Sequence, residues 1–298
     1  MSQTLAPAVI GALGAGRMGR GIAIAFAYAG HDVHLIDIKP RSAEASLALE
    51  REARADIDTS LASLSALGMF DDRQRPAILE KIHFSARDEA ASTLATIDVL
   101  FEGVPEVMEV KREAFRFAAP HLKADAIVAS TTSTILVGEL ATVVAMPERF
   151  LNAHWLNPAY IVPLVELSPH AQTAPEVTAR LKALLEGIGK VPVICAATAG
   201  FIVPRLQSLM MNEAARMVEQ GVASAEEIDK ATRYGLGFRF ANIGVVEFID
   251  FGGNDILYYA SRYLASALAD PRYAAPAIVN RHMQEGRNGL RDGKGFYD

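Results

Sequence analysis

Residues 9–19 read Val-Ile-Gly-Ala-Leu-Gly-Ala-Gly-Arg-Met-Gly, a short apolar run that breaks into Gly14-x-Gly16-x-x-Gly19 and continues with helical composition. A second apolar run begins at Asp32 and ends in another acid, Asp37. Each part has a mechanical job in holding a dinucleotide. Gly14 permits a tight strand-to-helix turn, Gly16 lets the backbone approach a pyrophosphate, and Gly19 lets the helix lie close on the sheet. Arg17 and Met18 sit between these glycines and are placed with them against the cofactor. The helix start presents unpaired N–H groups to phosphates. Asp37, 23 residues after Gly14, is near the distance expected for the acid that binds ribose hydroxyls. Its carboxylate would repel a 2′-phosphate and so favours NAD over NADP, a preference that Lys39 and Arg41 could soften. A bare glycine motif is also a common structural turn; the flanking strand, helix and acid make dinucleotide binding the stronger reading.

The 298 residues suit one large or two medium domains. Net charge is −6, which gives no support for a nucleic-acid surface. No apolar run approaches the roughly 18 residues that span a membrane. Met1 to Pro7 carry no basic side chain and run into the first strand, which argues against a signal peptide. Cys195 is the only cysteine, so no intramolecular disulfide forms and a cytoplasmic setting is expected. It is read as a buried strand residue and not as a reactive thiol. No metal site is expected.

Strand-like runs fall at 8–14, 32–37, 81–85, 98–104, 126–131, 150–155, 163–168 and 191–196. Helical segments fall at 17–29, 41–67, 107–119, 135–144 and 175–188, with a helical excursion over 41–80. This alternation predicts an α/β, Rossmann-type, mostly parallel sheet. After Gly200 no strand-like run is convincing. Helices are predicted over 201–219, after the capping box Ser224-Ala-Glu-Glu227, and near 243–251, 254–268 and 275–285, with an extended tail from Gly286. The expected domains are 1–198, binding cofactor, and 199–298, smaller and all-α. Apolar residues of the second (Met210, Met211, Val218, Val245, Val246, Phe248, Ile249, Tyr258, Tyr259) exceed what so small a unit hides alone. A homodimer through this domain is expected.

His154 stands near the end of one strand-like run and Glu166 lies within the next, with Asn157-Pro158 and Pro163 between. Two strands so joined can set imidazole against carboxylate, fixing the tautomer and making His154 a general base near neutral pH. A carboxylate in the apolar run Leu164-Val165-Glu166-Leu167 needs a partner in any case; a structural hydrogen-bonded pair is the competing reading. His31, His83, His121, His170 and His282 read as surface or capping residues, and His34 lies within the second strand. The hydroxyls of Ser130 to Thr134 follow the fifth strand and face a ligand crevice, or cap the next helix through Ser133 or Thr134. Glu102 to Glu106, with Lys111, face the same crevice or simply cap and solvate their helix.

Together these motifs resemble the 3-hydroxyacyl-CoA dehydrogenase family over essentially the whole chain. The resemblance is carried by the glycine motif with Gly21-Ile22-Ala23, Val104-Pro105-Glu106 with Lys111, and Ser130-Thr131-Thr132-Ser133 in place of the family's Ser-Asn-Thr-Ser. It is carried further by His154-x-x-Asn157-Pro158 with Glu166, Gly200-Phe201-Ile202-Val203-x-Arg205, and Gly293-Lys294-Gly295-Phe296-Tyr297. It implies that His154 takes the hydroxyl proton as hydride leaves the same carbon, that Glu166 orients His154, and that Ser133 contacts substrate oxygen and cofactor. Asn157, Glu106 and Lys111 would line the nicotinamide side, and Arg291 would match a tail lysine that reaches the cofactor.

Two departures bear on the substrate. The family has Asn where this chain has Pro204, and proline offers neither a side-chain hydrogen bond nor an N–H and is tolerable only in a first helical turn. In the excursion, Glu44, Glu50, Glu52, Asp56 and Asp58 outnumber Arg41, Arg51 and Arg54, a poor footing for the phosphates of coenzyme A. Those phosphates would have to find lysines elsewhere, such as Lys81 or Lys123. Asn157 to Leu167 and Thr173-Ala174-Pro175 resemble the gulonate dehydrogenase and lambda-crystallin branch, near the carnitine dehydrogenases, which acts on free hydroxy acids. The reading is therefore an NAD-dependent oxidoreductase for a free 3-hydroxy acid or small polar secondary alcohol. A 3-hydroxyacyl-CoA such as 3-hydroxybutyryl-CoA is the alternative. A non-catalytic, crystallin-like role is disfavoured by the presence of His154, Glu166 and Ser133 together.

Overall fold

The structure, a computed structural model, describes residues 7–297. Met1 to Ala6, which carry most of the argument against a leader, lie outside the described residues, as does Asp298. Contacts divide the chain into two compact units, Met1–Ser208 and Leu209–Asp298.

The first unit is built on β1 (Ile10–Leu13), β2 (Val33–Ile36), β3 (Ile82–Ser85), β4 (Val99–Glu102), β5 (Ile127–Ser130), β6 (Phe150–Trp155), β7 (Leu164–Pro169) and β8 (Val191–Ile194). They form one sheet in the order β3-β2-β1-β4-β5-β6-β7-β8. All neighbours are parallel except β6 and β7, which run antiparallel with His154 opposite Glu166. The sheet reverses its winding between β1 and β4, and the crevice beyond the strand ends at such a point is where ligands bind.

Its helices are α1 (Arg17–Tyr28), α2 (Ala43–Ala66), α3 (Arg75–Glu80), α4 (Arg87–Leu94), α5 (Met108–Ala118), α6 (Val137–Ala141) and α7 (Pro175–Gly187). Because side chains alternate across a strand, β1 sends Ile10 and Ala12 to one face and Leu13 to the other. The first face packs on Ile22 and Phe26 of α1, Ile57 and Leu61 of α2, and Leu181 and Leu185 of α7. The second packs on α4 and α5 through Ala90, Leu94, Ala114 and Ala118. Phe26, Phe101 and Trp155 meet at ring separations of 5.6–6.1 Å. Burying each such ring stabilises the fold by about 1.5–3 kcal/mol.

In the second unit, α8 (Val203–Glu219) continues past the division, and α9 (Ala225–Ala231), a π-helical stretch (Thr232–Gly237), α10 (Phe238–Phe240), α11 (Val245–Gly252), α12 (Asn254–Ala267) and α13 (Ala277–Glu285) follow. Ser224 caps α9 by accepting the Glu227 N–H at 3.2 Å.

Several expectations are corrected. The segment from Gly286 is not extended. It turns back, with Gly289 and Lys294 bridged, and the Phe296 and Tyr297 amides donate to the Asp250 carboxylate at 3.0 and 2.8 Å. A Cβ at Gly289 or Gly295 would overlap Asp250, which is why glycine punctuates this segment. Cys195 lies just after β8 and is half-buried, at an outer strand whose Val191 and Ile194 are exposed; burial and the Glu166 charge raise its thiol pKa. His282 is buried edge-on against Phe296 at 4.6 Å, and His31 is buried against Phe26 while its Nδ1 accepts the Ala8 N–H. The helix expected over 135–144 is only Val137–Ala141, and neither Ser133 nor Thr134 caps it. Thr132 accepts the Ile135 N–H at 3.0 Å instead.

Candidate active site

The turn after β1 answers to its glycines. Gly14 has φ +108°, a left-handed conformation open to glycine. A Cβ at Gly19 would overlap the Gly14 carbonyl, so only glycine lets α1 start here. Gly16, by contrast, faces open space, and no side chain caps the α1 N-terminus. Its amides are therefore free to meet an anion. A cleft of about 400 Å³ opens at this point, lined among others by Gly14, Gly16, Arg17, Met18, Asp37 and Val104. Asp37 sits at the end of β2, 5% exposed, with Arg41 Nε donating to its carboxylate at 2.5 Å. An open glycine bed, a free helix N-terminus and an acid at the next strand end fit a dinucleotide.

At the ends of β6 and β7, Glu166 is fully buried and His154 nearly so. His154 Nδ1 lies 2.8 Å from Glu166 Oε2. A carboxylate only accepts, so Nδ1 carries a proton, and in the neutral ring Nε2 then holds the lone pair. The other oxygen of Glu166 accepts the amides of Ile202 and Val203, both at 2.8 Å. Phe201, itself buried, stacks on the imidazole with centroids 5.0 Å apart and planes 15° apart. Its φ of 45° is unusual for a side chain of this size. The Gly200–Val203 turn thus holds both partners, one through π contact and one through backbone donors. These contacts were missed in the sequence, where the Gly-Phe-Ile-Val motif carries no titratable group to draw attention.

The hydroxyl cluster after β5 gathers on one carboxylate. Glu106 accepts from the Thr132 hydroxyl, from the Ser133 and Thr134 amides at 3.0 and 3.1 Å, and from the Thr134 hydroxyl at 2.9 Å. Burial pushes its carboxyl pKa up, but the Thr132 bond, the Lys111 charge and the Thr134 bonds outweigh it and bring it to about 2. The Ser133 side chain stays exposed. Lys111, expected to line the crevice, is buried instead. Its ammonium lies 2.9 and 3.0 Å from the buried Glu102 carboxylate and 3.2 Å from Glu106. It acts on the crevice only by holding Glu106. Asn157, exposed, stands three residues beyond His154. In the second unit, Arg291 pairs with Asp255 at 3.0 Å and with Asp292 at 3.5 Å.

Most cations nearest the excursion are paired with carboxylates, while Arg51 stays exposed. Arg20 pairs with Glu52 and Asp56, Arg54 with Glu50, and Arg75 with Asp58. Lys81 and Lys123 are likewise taken, by Asp32 at 3.2 Å and Asp98 at 2.6 Å. Pro204 is the second residue of α8, within the first turn where proline is tolerated.

Residues 9–198 match the profile of the 3-hydroxyacyl-CoA dehydrogenase NAD binding domain, and residues 200–298 that of the 3-hydroxyacyl-CoA dehydrogenase C-terminal domain. The 5-formyl-3-hydroxy-2-methylpyridine 4-carboxylate 5-dehydrogenase of Mesorhizobium japonicum is 30% identical over 97% of this chain and 89% of its own. The 3-hydroxybutyryl-CoA dehydrogenase of Bradyrhizobium diazoefficiens is 32% identical over 97% and 94%. The crystal structure of a 3-hydroxyacyl-CoA dehydrogenase from Archaeoglobus fulgidus superimposes with a TM-score of 0.76 at 30% identity, covering 98% of this chain and 92% of that one.

Proposed function

The chain belongs to the 3-hydroxyacyl-CoA dehydrogenase family and is an NAD-dependent dehydrogenase acting on a CH–OH group; we propose that its substrate is a free 3-hydroxy acid or a related small polar secondary alcohol. NAD, when bound, supplies the hydride acceptor. Gly14, Gly16, Arg17, Met18 and Gly19 hold it by the pyrophosphate and Asp37 by the ribose. His154 Nε2 takes the hydroxyl proton. Glu166 keeps Nδ1 protonated and stabilises the imidazolium that forms. Ser133 donates its exposed hydroxyl to the substrate oxygen, and Asn157 and Glu106 border the nicotinamide, with Lys111 behind Glu106. Arg291, at the position of the family's tail lysine, is the remaining cofactor residue of this reading.

The observation that carries the choice of a free acid is the pairing of the cations. Of the arginines and lysines that coenzyme A phosphates would recruit, Arg20, Arg54, Arg75, Lys81 and Lys123 are already bonded to carboxylates, leaving Arg51, and Pro204 removes a polar side chain from the first turn of α8. The Mesorhizobium relative is itself named for a free carboxylate. The name of the Bradyrhizobium relative favours the second reading, a 3-hydroxyacyl-CoA. A panel of free 3-hydroxy acids and their CoA thioesters with NAD, read by NADH absorbance, tests this. We expect higher kcat/KM for a free acid and weak inhibition by coenzyme A. Turnover of 3-hydroxybutyryl-CoA at least about tenfold more efficient than any free acid would overturn the ordering.

In the second unit Met210, Val245, Val246, Phe251, Tyr259 and Tyr263 are exposed, which supports a homodimer through these helices. Among the described residues no helix is long and apolar enough to cross a membrane. The single cysteine accords with a cytoplasmic setting.

A further inference from the structure

Lys190, between α7 and β8, is a buried ammonium that the proton-transfer scheme does not use. Its Nζ donates to the Ala159 carbonyl at 2.6 Å and the Val162 carbonyl at 3.0 Å, and lies 5.6 Å above the Trp155 ring. Neutral dipoles hold it, and burial lowers its pKa. A buried cation without a counter-charge costs several kcal/mol, which an apolar side chain of the same volume would avoid.

What that cation holds is the chain leaving the base. Both carbonyls belong to the turn that follows β6, in which the Ile161 and Val162 amides both donate to Pro158 O, at 3.0 and 2.9 Å. On its other side the turn leans on the phosphate-binding helix: a Cβ at Gly21 of α1 would come within 3.1 Å of the Ala159 Cβ. The turn is thus gripped between α1 and the Lys190 ammonium. Asn157 stands at its start, lining a cleft of about 440 Å³ together with Arg17, Gly21 and Tyr160.

We propose that Lys190 is a positioning residue for the reaction, clamping the Asn157–Val162 turn against α1 so that Asn157 keeps its place beside the nicotinamide. The proposal rests on the role given to Asn157 above. Sub-ångström placement matters for hydride transfer, and a displacement of about 1 Å can cost about 10²-fold.

The test is a double-mutant cycle between Lys190→Met and Asn157→Ala, with His154→Gln as the reference. Lys190→Met should lower kcat by roughly 10- to 100-fold while KM for the hydroxy substrate changes less than about threefold. In the Asn157→Ala background it should cost nothing further. Independently of activity, hydrogen exchange at the Ile161 and Val162 amides should rise in Lys190→Met. Where the methionine variant does not fold, Lys190→Leu, which likewise offers no side-chain N–H donor, is judged by the same criteria. Folded variants with kcat within about twofold of the parent, or losses that multiply in the double mutant, would overturn the proposal. Normal turnover in His154→Gln would overturn the underlying reading instead, so the two failures are told apart.

Discussion

Replacing His154 with glutamine is expected to lower kcat by roughly 100-fold or more, the range for a lost general base, and to leave NADH affinity nearly unchanged. The argument is geometric. Glu166 Oε2 takes the Nδ1 proton at 2.8 Å and Oε1 takes two backbone amides, so the carboxylate is fully engaged. Nε2 is left as the one basic atom of the pair. A glutamine amide can still donate to Glu166, so the buried carboxylate keeps a partner and the fold is spared. What it lacks is a nitrogen lone pair able to accept a proton. The glycine turn and Asp37 lie on other strands and are untouched, which is why cofactor binding should persist. Near-normal turnover in a folded His154→Gln enzyme would remove the assignment.

The largest stability effect is expected at Lys111. Lys111→Met should destabilise the first unit by about 3–5 kcal/mol, because it leaves a buried carboxylate without its counter-charge. Glu102 is fully buried, and after the change it would retain only the Ser130 hydroxyl at 2.6 Å and the Val104 amide at 2.8 Å. Glu106 would lose its ion pair as well. Removing both charges, as Lys111→Met with Glu102→Leu, should recover much of the loss, since a matched apolar pair has no desolvation cost to repay. Trp155, the only tryptophan and part of the first core, gives the readout by fluorescence in urea. A single-variant loss under about 1 kcal/mol would show that Glu102 finds other solvation.

The sheet was legible because each of its eight strands is a short apolar run between turn residues. Helices α1 and α7 were legible for the same kind of reason: their apolar spacing is long enough to show a period. α3 and α4 were not singled out, being short and mostly polar, with Ile78, Ala90 and Leu94 their few buried anchors. The dyad could be read because His154 and Glu166 occupy facing positions of an antiparallel pair whose connection contains two prolines. Thr132 as the acceptor of the Ile135 amide, and Lys111 and Lys190 as buried cations, could not. In each case the partner is a backbone group or a carboxylate whose place depends on three-dimensional packing. The glycines near the C-terminus read as an extended tail because their need, close approach to Asp250, lies about 40 residues away in sequence.

The most direct measurement follows a label. The better substrate of the panel, deuterated at the hydroxyl-bearing carbon, is mixed with NAD and enzyme in ordinary water, and the deuterium is traced in a single turnover. The account predicts that it arrives on NADH, with the same isotope-sensitive step slowed by roughly 100-fold in His154→Gln. Deuterium released to water, or an isotope-sensitive rate that His154→Gln does not change, would contradict it.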